Sequence, residues 1–473
     1  MFIGKANEMS RRAFMRRSGQ LAAMGSATTY ALGLAGMGEA AAFSAGNDYK
    51  ALVCLFMFGG NDHGNTLIPF DPTNYARYAA IRGGSGEDDD GIALSRESLS
   101  NTVLVPNGQT LTDDITYALA PTMPRLKTLF DGGAMAPLLN VGPLTRPLTR
   151  AQFDLNPQLA PPNLFSHNDQ QSTWQSYEPE GASLGWGGRI GDLAMSSNTN
   201  AMFTAINATG NAVFLSGQDV VPYQVSTRGA TLFNPLRRGS LYGSSTASNA
   251  LDTLLRSGSG TFMAADYSTV NARSIQFGQF VNDALANAVL TTDFGSNNNL
   301  AAQLQTVARL IASRNALGVR RQVFLVSMGG FDTHDGLIGT HEGLLGQVDF
   351  AMNAFYQATV ELGVAENVTT FTASDFGRTL TSNGNGSDHG WGSYHFIVGG
   401  AVNGGRFYGR APQVSVTSDD QVGSGRLLPS VSVDEYSATL ASWFGVENSE
   451  LPLVAPNISR FATPDLGFLR RDI

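Results

Sequence analysis

The sequence predicts an α/β fold in which a mostly parallel central sheet is flanked by helices on both faces, with an inserted cap or loop region. Three observations lead there. Four nearly continuous apolar runs each stop at a polar cluster, as strands buried on both faces do. Helix-period segments separate the runs, and such alternation favours a parallel sheet. The composition, 473 residues of which 42% are apolar and 15% charged, suits a large buried core. It excludes a polytopic membrane protein and a wholly disordered chain.

In chain order, residues 1–42 read as an address and are set apart from the fold. Ser10-Arg11-Arg12-Ala13-Phe14 precedes a soft apolar stretch over 21–37 and then Ala40-Ala41-Ala42. That is the layout of a charged region, an apolar region and a small-residue cleavage site. The paired arginines resemble a twin-arginine export signal. The expectation is passage through the twin-arginine translocase and a mature chain, 43–473, that is periplasmic or secreted. The apolar stretch is short and diluted by Gly, Ser and Thr, so no stable membrane insertion is expected.

The strand runs are 50–58, ending in Gly59-Gly60; 134–141; 322–328, ending in Gly329-Gly330; and 367–373, ending in Ser374-Asp375. Helical patterns cover 121–130, 266–290, 300–315 and 342–362. The last places Leu344, Leu345, Val348, Met352, Phe355 and Val360 at helical spacing. Residues 83–91, with Asp88-Asp89-Asp90, lack the alternating ligands of a calcium loop and read as a solvated acidic loop. A stretch rich in Ser, Gly and Thr marks an insertion at roughly 200–262. The single Cys54 excludes an intramolecular disulfide and a thiolate zinc cluster. A net charge of −9 has the wrong sign for a general nucleic-acid binder, so no nucleic-acid partner is expected.

The six histidines, His63, His167, His334, His341, His389 and His395, all fall near polar clusters and none sits inside an apolar run. The clusters are Gly59-Gly60-Asn61-Asp62-His63, Ser166-His167-Asn168-Asp169-Gln170, Phe331-Asp332-Thr333-His334, Ser374-Asp375-Phe376-Gly377-Arg378 and Asp388-His389-Gly390. Carboxylates and imidazoles at several strand ends offer the oxygen and nitrogen donors that a divalent cation needs. Each Asp alone reads equally well as a turn former or helix cap. The weight lies in the set.

That set, in this order and behind a twin-arginine start, resembles the exported family called domain of unknown function 1501. That family is placed in the alkaline-phosphatase-like superfamily of metal-dependent phosphatases, phosphomutases and sulfatases. The resemblance covers nearly the whole mature chain. It implies an alkaline-phosphatase-like fold with two divalent metal ions, zinc among the candidates. Asp332, His334 and His389 would hold one ion, Asp62 and Asp375 the other, and Ser166 would be the catalytic nucleophile. Ser172, six residues later, competes for that role. The implied reaction is hydrolysis of a phosphate or sulfate ester, in a small molecule or a polymer, by in-line displacement.

The sequence also departs from the superfamily pattern. Phe376 follows Asp375 where working members carry a histidine, and His63, His167 and Asp388 are the available substitutes. On that ground, and on the open choice between Ser166 and Ser172, the alternative is a non-catalytic exported binding or assembly scaffold with a degenerate metal site. Arg378 suits either clamping a phosphate or sulfate oxygen or pairing with a structural carboxylate. His341 reads as an alternative to His334 or as a helix-terminal residue, and His395 as a satisfied histidine at a strand start. Trp174, Trp186 and Trp391 either stack on a substrate or pack the pocket wall.

Overall fold

Alternate side chains of strand β1 (Lys50–Met57) enter two different cores. Ala51, Val53, Leu55 and Met57 pack into one, while Leu52, Cys54 and Phe56 pack into the other. A strand directs successive side chains to opposite faces, so a strand covered on both faces must be apolar at every position. Each fully buried aliphatic side chain here stabilises the fold by about 1.5–3 kcal/mol. The structure, a computed structural model, describes residues 48–83, 91–210, 212–230, 238–256 and 262–470. The expected export signal (1–42) and most of the acidic loop (84–90) lie outside the described residues.

The remaining strands are β2 (Leu67–Pro69), β3 (Val103–Leu104), β4 (Tyr117–Leu119), β5 (Met135–Gly142), β6 (Ala205–Asn207), β7 (Tyr223–Gln224), β8 (Arg321–Met328), β9 (Val368–Ser374), β10 (Ser393–Gly399) and β11 (Val431–Ser432). Among the described residues, eight of the eleven strands form the main sheet in the order β11-β5-β10-β9-β1-β8-β6-β7. All of its neighbouring pairs are parallel except those of β10, which runs against both β5 and β9. The sheet is therefore mostly parallel, as the sequence predicts. β6 and β7 lie within the expected insertion, and there they extend the sheet beyond β8. β2, β4 and β3 form a small second sheet whose residues join the first core.

Helices cover both faces. Asn299–Ala312, Leu337–Glu361 and Pro124–Asp131 bury residues in the first core. Trp186–Ala194 and Val433–Phe444 bury theirs in the second. Val433–Phe444 starts where it does because Ser432 and Glu435 form a reciprocal capping box, satisfying two otherwise unpaired amides. Among the described residues, no helix is long and apolar enough to cross a membrane.

Register positions the site. β1 pairs with β8 up to Met57↔Met328 and with β9 up to Met57↔Ser374. The carboxyl ends of the three central strands are thus level, and the loops that follow them lie side by side. Ligand sites of open parallel sheets form beyond such ends.

Candidate functional site

Two glycines let these loops touch. Gly59 (φ +116°) and Gly60 (φ +81°) adopt backbone conformations that side chains disfavour. A Cβ on Gly59 would collide with the Asp332 amide, and one on Gly60 with the Phe376 ring. The β1 loop therefore lies directly against the loops after β8 and β9.

Four donor residues converge beside that contact. Asp332, His167 and His389 each offer a ligand atom, all within 4.8 Å of one another. Around the Asp332 carboxylate, His334 Nε2 lies 3.2 Å and His389 Nε2 3.4 Å from Oδ1, and His167 Nε2 lies 3.5 Å from Oδ2. His334 Nε2 and His389 Nε2 are 2.8 Å apart. A tetrahedral ion with bonds of about 2.0–2.1 Å to its ligands sets neighbouring donors roughly 3.3 Å apart. The three nitrogen–oxygen separations match that spacing, and the nitrogen–nitrogen one is tighter.

The outer nitrogens of the rings fix which inner nitrogen is bare. His167 Nδ1 lies 2.7 Å from Asp375 Oδ2 and His389 Nδ1 lies 2.7 Å from the Phe165 carbonyl. A carboxylate and a carbonyl only accept, so each Nδ1 carries the proton and each neutral ring turns a lone pair inward at Nε2. His334 Nδ1 lies 3.3 Å from Asp388 Oδ1. His167 Nε2 is buried without a hydrogen-bond partner. An orphaned acceptor beside two more imidazoles and a carboxylate is an arrangement that a shared cation relieves. The donor set fits a metal ion.

Charge and burial tune these groups. The Asp375 hydrogen bond raises the His167 imidazole above its ordinary value. Burial lowers that of His389. For Asp332, burial acts upward but the Arg378 guanidinium outweighs it and keeps the carboxyl below its usual range. Arg378 is fully buried and donates from Nη1 to Asp332 Oδ1 (3.0 Å) and to the Gly59 carbonyl (2.9 Å). Of its two expected roles, the observed one is pairing with a carboxylate, and that carboxylate belongs to the cluster.

The structure brings Asp332, His334 and His389 together as the motifs suggest. Two of the expected ligands stand elsewhere. Asp62 is completely buried in an ion pair with Arg82, with Oδ2 2.6 Å from Nη2, and also accepts from the Asn65 amide and the Ser387 hydroxyl. Its oxygens are committed, and it takes no place in the cluster. Asp375 stands one bond behind it, accepting from His167, from Gln171 Nε2 (2.8 Å) and from the Gly59 amide (3.2 Å). It orients a donor, as outer carboxylates of metal-binding histidines commonly do. Asp62 and Asp375, expected to share the second ion, therefore hold protein partners in this structure.

His167, one of the three substitutes for the imidazole missing after Asp375, stands beside Asp332 and His389. The signal was present in Ser166-His167, at the start of the helix His167–Ser176, but nothing in the spacing ranked it above His63 or Asp388. Phe376 forms an apolar floor, its ring centroid 4.9 Å from that of His167 and 4.7 Å from that of His389. Arg82, the partner that removes Asp62, lies twenty residues away along the chain and carries no motif.

Ser166 is the N-cap residue between two contributors, the Phe165 carbonyl and His167. The neighbouring side chains of Ser166 and Asn163 hold the Asp169 carboxyl below its usual range, and the Ser166 hydroxyl makes no capping bond to the helix. Ser172 instead donates to the Pro179 carbonyl at 3.0 Å, one of the bonds that close the chain after this helix. The other histidines are buried. His341 Nε2 lies 2.9 Å from Asn61 Oδ1, and His395 Nδ1 lies 3.2 Å from Thr372 Oγ1. Burial pushes His63 and His341 down to about 4 and His395 to about 3. Trp174, Trp186 and Trp391 are all core residues.

Solved structures similar to the chain share little sequence with it. Ps i-CgsB is 10% identical with a TM-score of 0.35, over 88% of this chain and 78% of that one. The lipoteichoic acid synthase LtaP from Listeria monocytogenes is 9% identical, TM-score 0.33, over 88% and 76%. The C-terminal periplasmic domain of EcEptC from Escherichia coli is 9% identical, TM-score 0.34, over 89% and 90%. No curated protein matches the chain. The family described as Protein of unknown function (DUF1501) matches residues 49–445, and the chain belongs to that family.

Proposed function

We propose that the protein is a hydrolase of phosphate or sulfate esters that works with a single divalent ion held by His167, Asp332, His334 and His389. The observation that carries this reading is the convergence of three Nε2 atoms on the Asp332 carboxylate, with the outer nitrogens of His167 and His389 tied to acceptors. Three imidazoles and one carboxylate suit a borderline cation such as zinc. Such an ion polarises an ester oxygen and lowers the pKa of a hydroxyl brought to it.

The remaining chemistry belongs to the chain. Arg378 keeps Asp332 ionised and in place, and Asp375 keeps the proton on His167 Nδ1. Ser166 Oγ attacks phosphorus or sulfur, and its bond to that atom forms as the bond to the ester oxygen breaks. The leaving oxygen takes a proton from solvent, and water then displaces the serine oxygen to release phosphate or sulfate. The Ser166 proton passes to Asp169, a carboxylate in the first turn of the helix whose N-cap residue is Ser166. The amino-terminal end of the helix His167–Ser176 favours the negative charge that develops there. Against the scaffold alternative stands the position of His167, one of the substitutes for the histidine missing at Phe376, beside Asp332 and His389.

Export completes the reading. The arginine pair at 11–12 supports handling by the twin-arginine translocase and a working place in the periplasm or outside the cell. The test of function is turnover of aryl phosphate and aryl sulfate esters before and after chelation. Loss of turnover on chelation and recovery with added zinc is expected. Equal turnover in chelated protein, or none with any divalent ion, would contradict the proposal.

A further inference from the structure

We propose that Arg426 is the residue that binds the anionic group of the substrate at the rim of this site, an inference that rests on the hydrolase reading above. Its guanidinium is anchored on two sides beside the cluster. Nε donates to the carbonyl of His389 at 2.8 Å, and the group lies over the Phe165 ring, 5.0 Å from its centroid. Phe165 is the residue whose carbonyl holds His389 Nδ1. One His389 neighbourhood therefore fixes both a donor to the ion and a positive charge next to it.

The guanidinium is not used up by the fold. Nη1 reaches only the Gly423 carbonyl, at 3.5 Å, and Nη2 makes no hydrogen bond with a described residue. The other arginines near the site are spent: Arg82 on Asp62, and Arg378 on Asp332, Gly59 and Ser387. Asp388, whose carboxyl the Arg426 charge helps to hold below its usual range, is engaged by Asn383 Nδ2 at 3.0 Å and by His334. A stacked guanidinium with an open edge is pre-organised for phosphate or sulfate oxygens, more so than a lysine. A protein of net charge −9 needs such a local positive group to draw an anion to its surface.

Phe165 adds a second mark of a built site. It is 40% exposed and holds φ at +151°, a conformation that a side chain rarely adopts and that clusters at functional sites. Its ring is the platform that sets the plane of Arg426.

Calorimetric titration of the zinc-loaded mature protein with inorganic phosphate and with sulfate tests the inference, using Arg426→Gln, Arg426→Lys and Phe165→Leu beside the unaltered chain. The expected result is anion affinity weaker by about ten- to a hundredfold in Arg426→Gln, a smaller loss in the other two, and unchanged zinc content in all. Arg426→Lys keeps the charge should the glutamine variant fold poorly. Equal anion affinity in folded Arg426→Gln, or no anion binding by the unaltered chain, overturns the inference. The same titration after chelation separates the two readings. If the protein holds no zinc yet binds phosphate through Arg426, the ion fails and Arg426 stands.

Discussion

Replacing Asp375 with asparagine removes a charge from behind the site without altering its volume. The carboxylate accepts three hydrogen bonds, two of them on Oδ2, from His167 Nδ1 at 2.7 Å and Gln171 Nε2 at 2.8 Å, and one on Oδ1 from the Gly59 amide at 3.2 Å. An amide serves two of these directions at most. Turned to keep oxygen toward His167 and Gln171, it sets NH2 against the Gly59 N–H and leaves a buried donor unpaired, a cost of about 1–3 kcal/mol. It also exchanges a charge-assisted bond to His167 for a neutral one of roughly half the strength. Turned the other way, NH2 faces two donors and His167 loses the acceptor that sets its tautomer. Outer partners of metal-binding histidines typically carry about ten- to a hundredfold of metal affinity, or about 1.4–2.7 kcal/mol. Competitive zinc titration against a chromophoric chelator measures this, with circular dichroism as the check on folding. A folded variant that binds zinc within about twofold of the unaltered chain would refute the role given to Asp375.

Asp62→Asn should behave in the opposite way. It leaves buried Arg82 without its counter-charge, a loss of about 3–5 kcal/mol visible in urea unfolding, while the zinc content per chain stays unchanged. If zinc is lost from folded protein, Asp62 is a ligand after all. Acid should destabilise the fold in a defined window. His63 and His341 have folded values near 4 against an ordinary 6.5, so the unfolded chain takes up protons first. The stability they confer is complete above about pH 6.5 and is lost as pH falls toward 4, on the order of 3 kcal/mol for each histidine. Flat unfolding free energy between pH 7 and 4.5 would contradict this. Ser166→Ala should lower ester turnover by about a hundredfold or more with zinc retained, whereas Ser172→Ala should leave turnover near that of the unaltered chain. Equal losses in both would remove Ser166 from the mechanism.

The legible and illegible parts of the sequence differ for physical reasons. β1, β5, β8 and β9 were visible because burial on both faces demands an uninterrupted apolar run, and their polar endings marked the loops that meet. The reversed direction of β10 left no such trace, because a buried strand reads the same whichever way it runs. β6 and β7, three and two residues long, are too short for any periodicity and were absorbed into the expected insertion. In the site, Asp332, His334 and His389 stand close together because their motifs follow strands that lie level in register. Asp62 is expected at a metal from its strand-end motif, and its ion pair with Arg82 is something spacing does not reveal. A carboxylate at a strand end looks the same whether a cation or Arg82 neutralises it. Asp375 accepts from His167, and only coordinates separate a donor to an ion from the group that orients such a donor.

Metal content of the purified protein, by elemental analysis after saturation with zinc and removal of the excess, tests the central reading most directly. One ion per chain is expected, falling to none in a folded His167→Ala/His389→Ala variant. Two ions per chain would restore the carboxylate pair at Asp62 and Asp375 as a second site. No ion at all would end the case for a metal-dependent hydrolase.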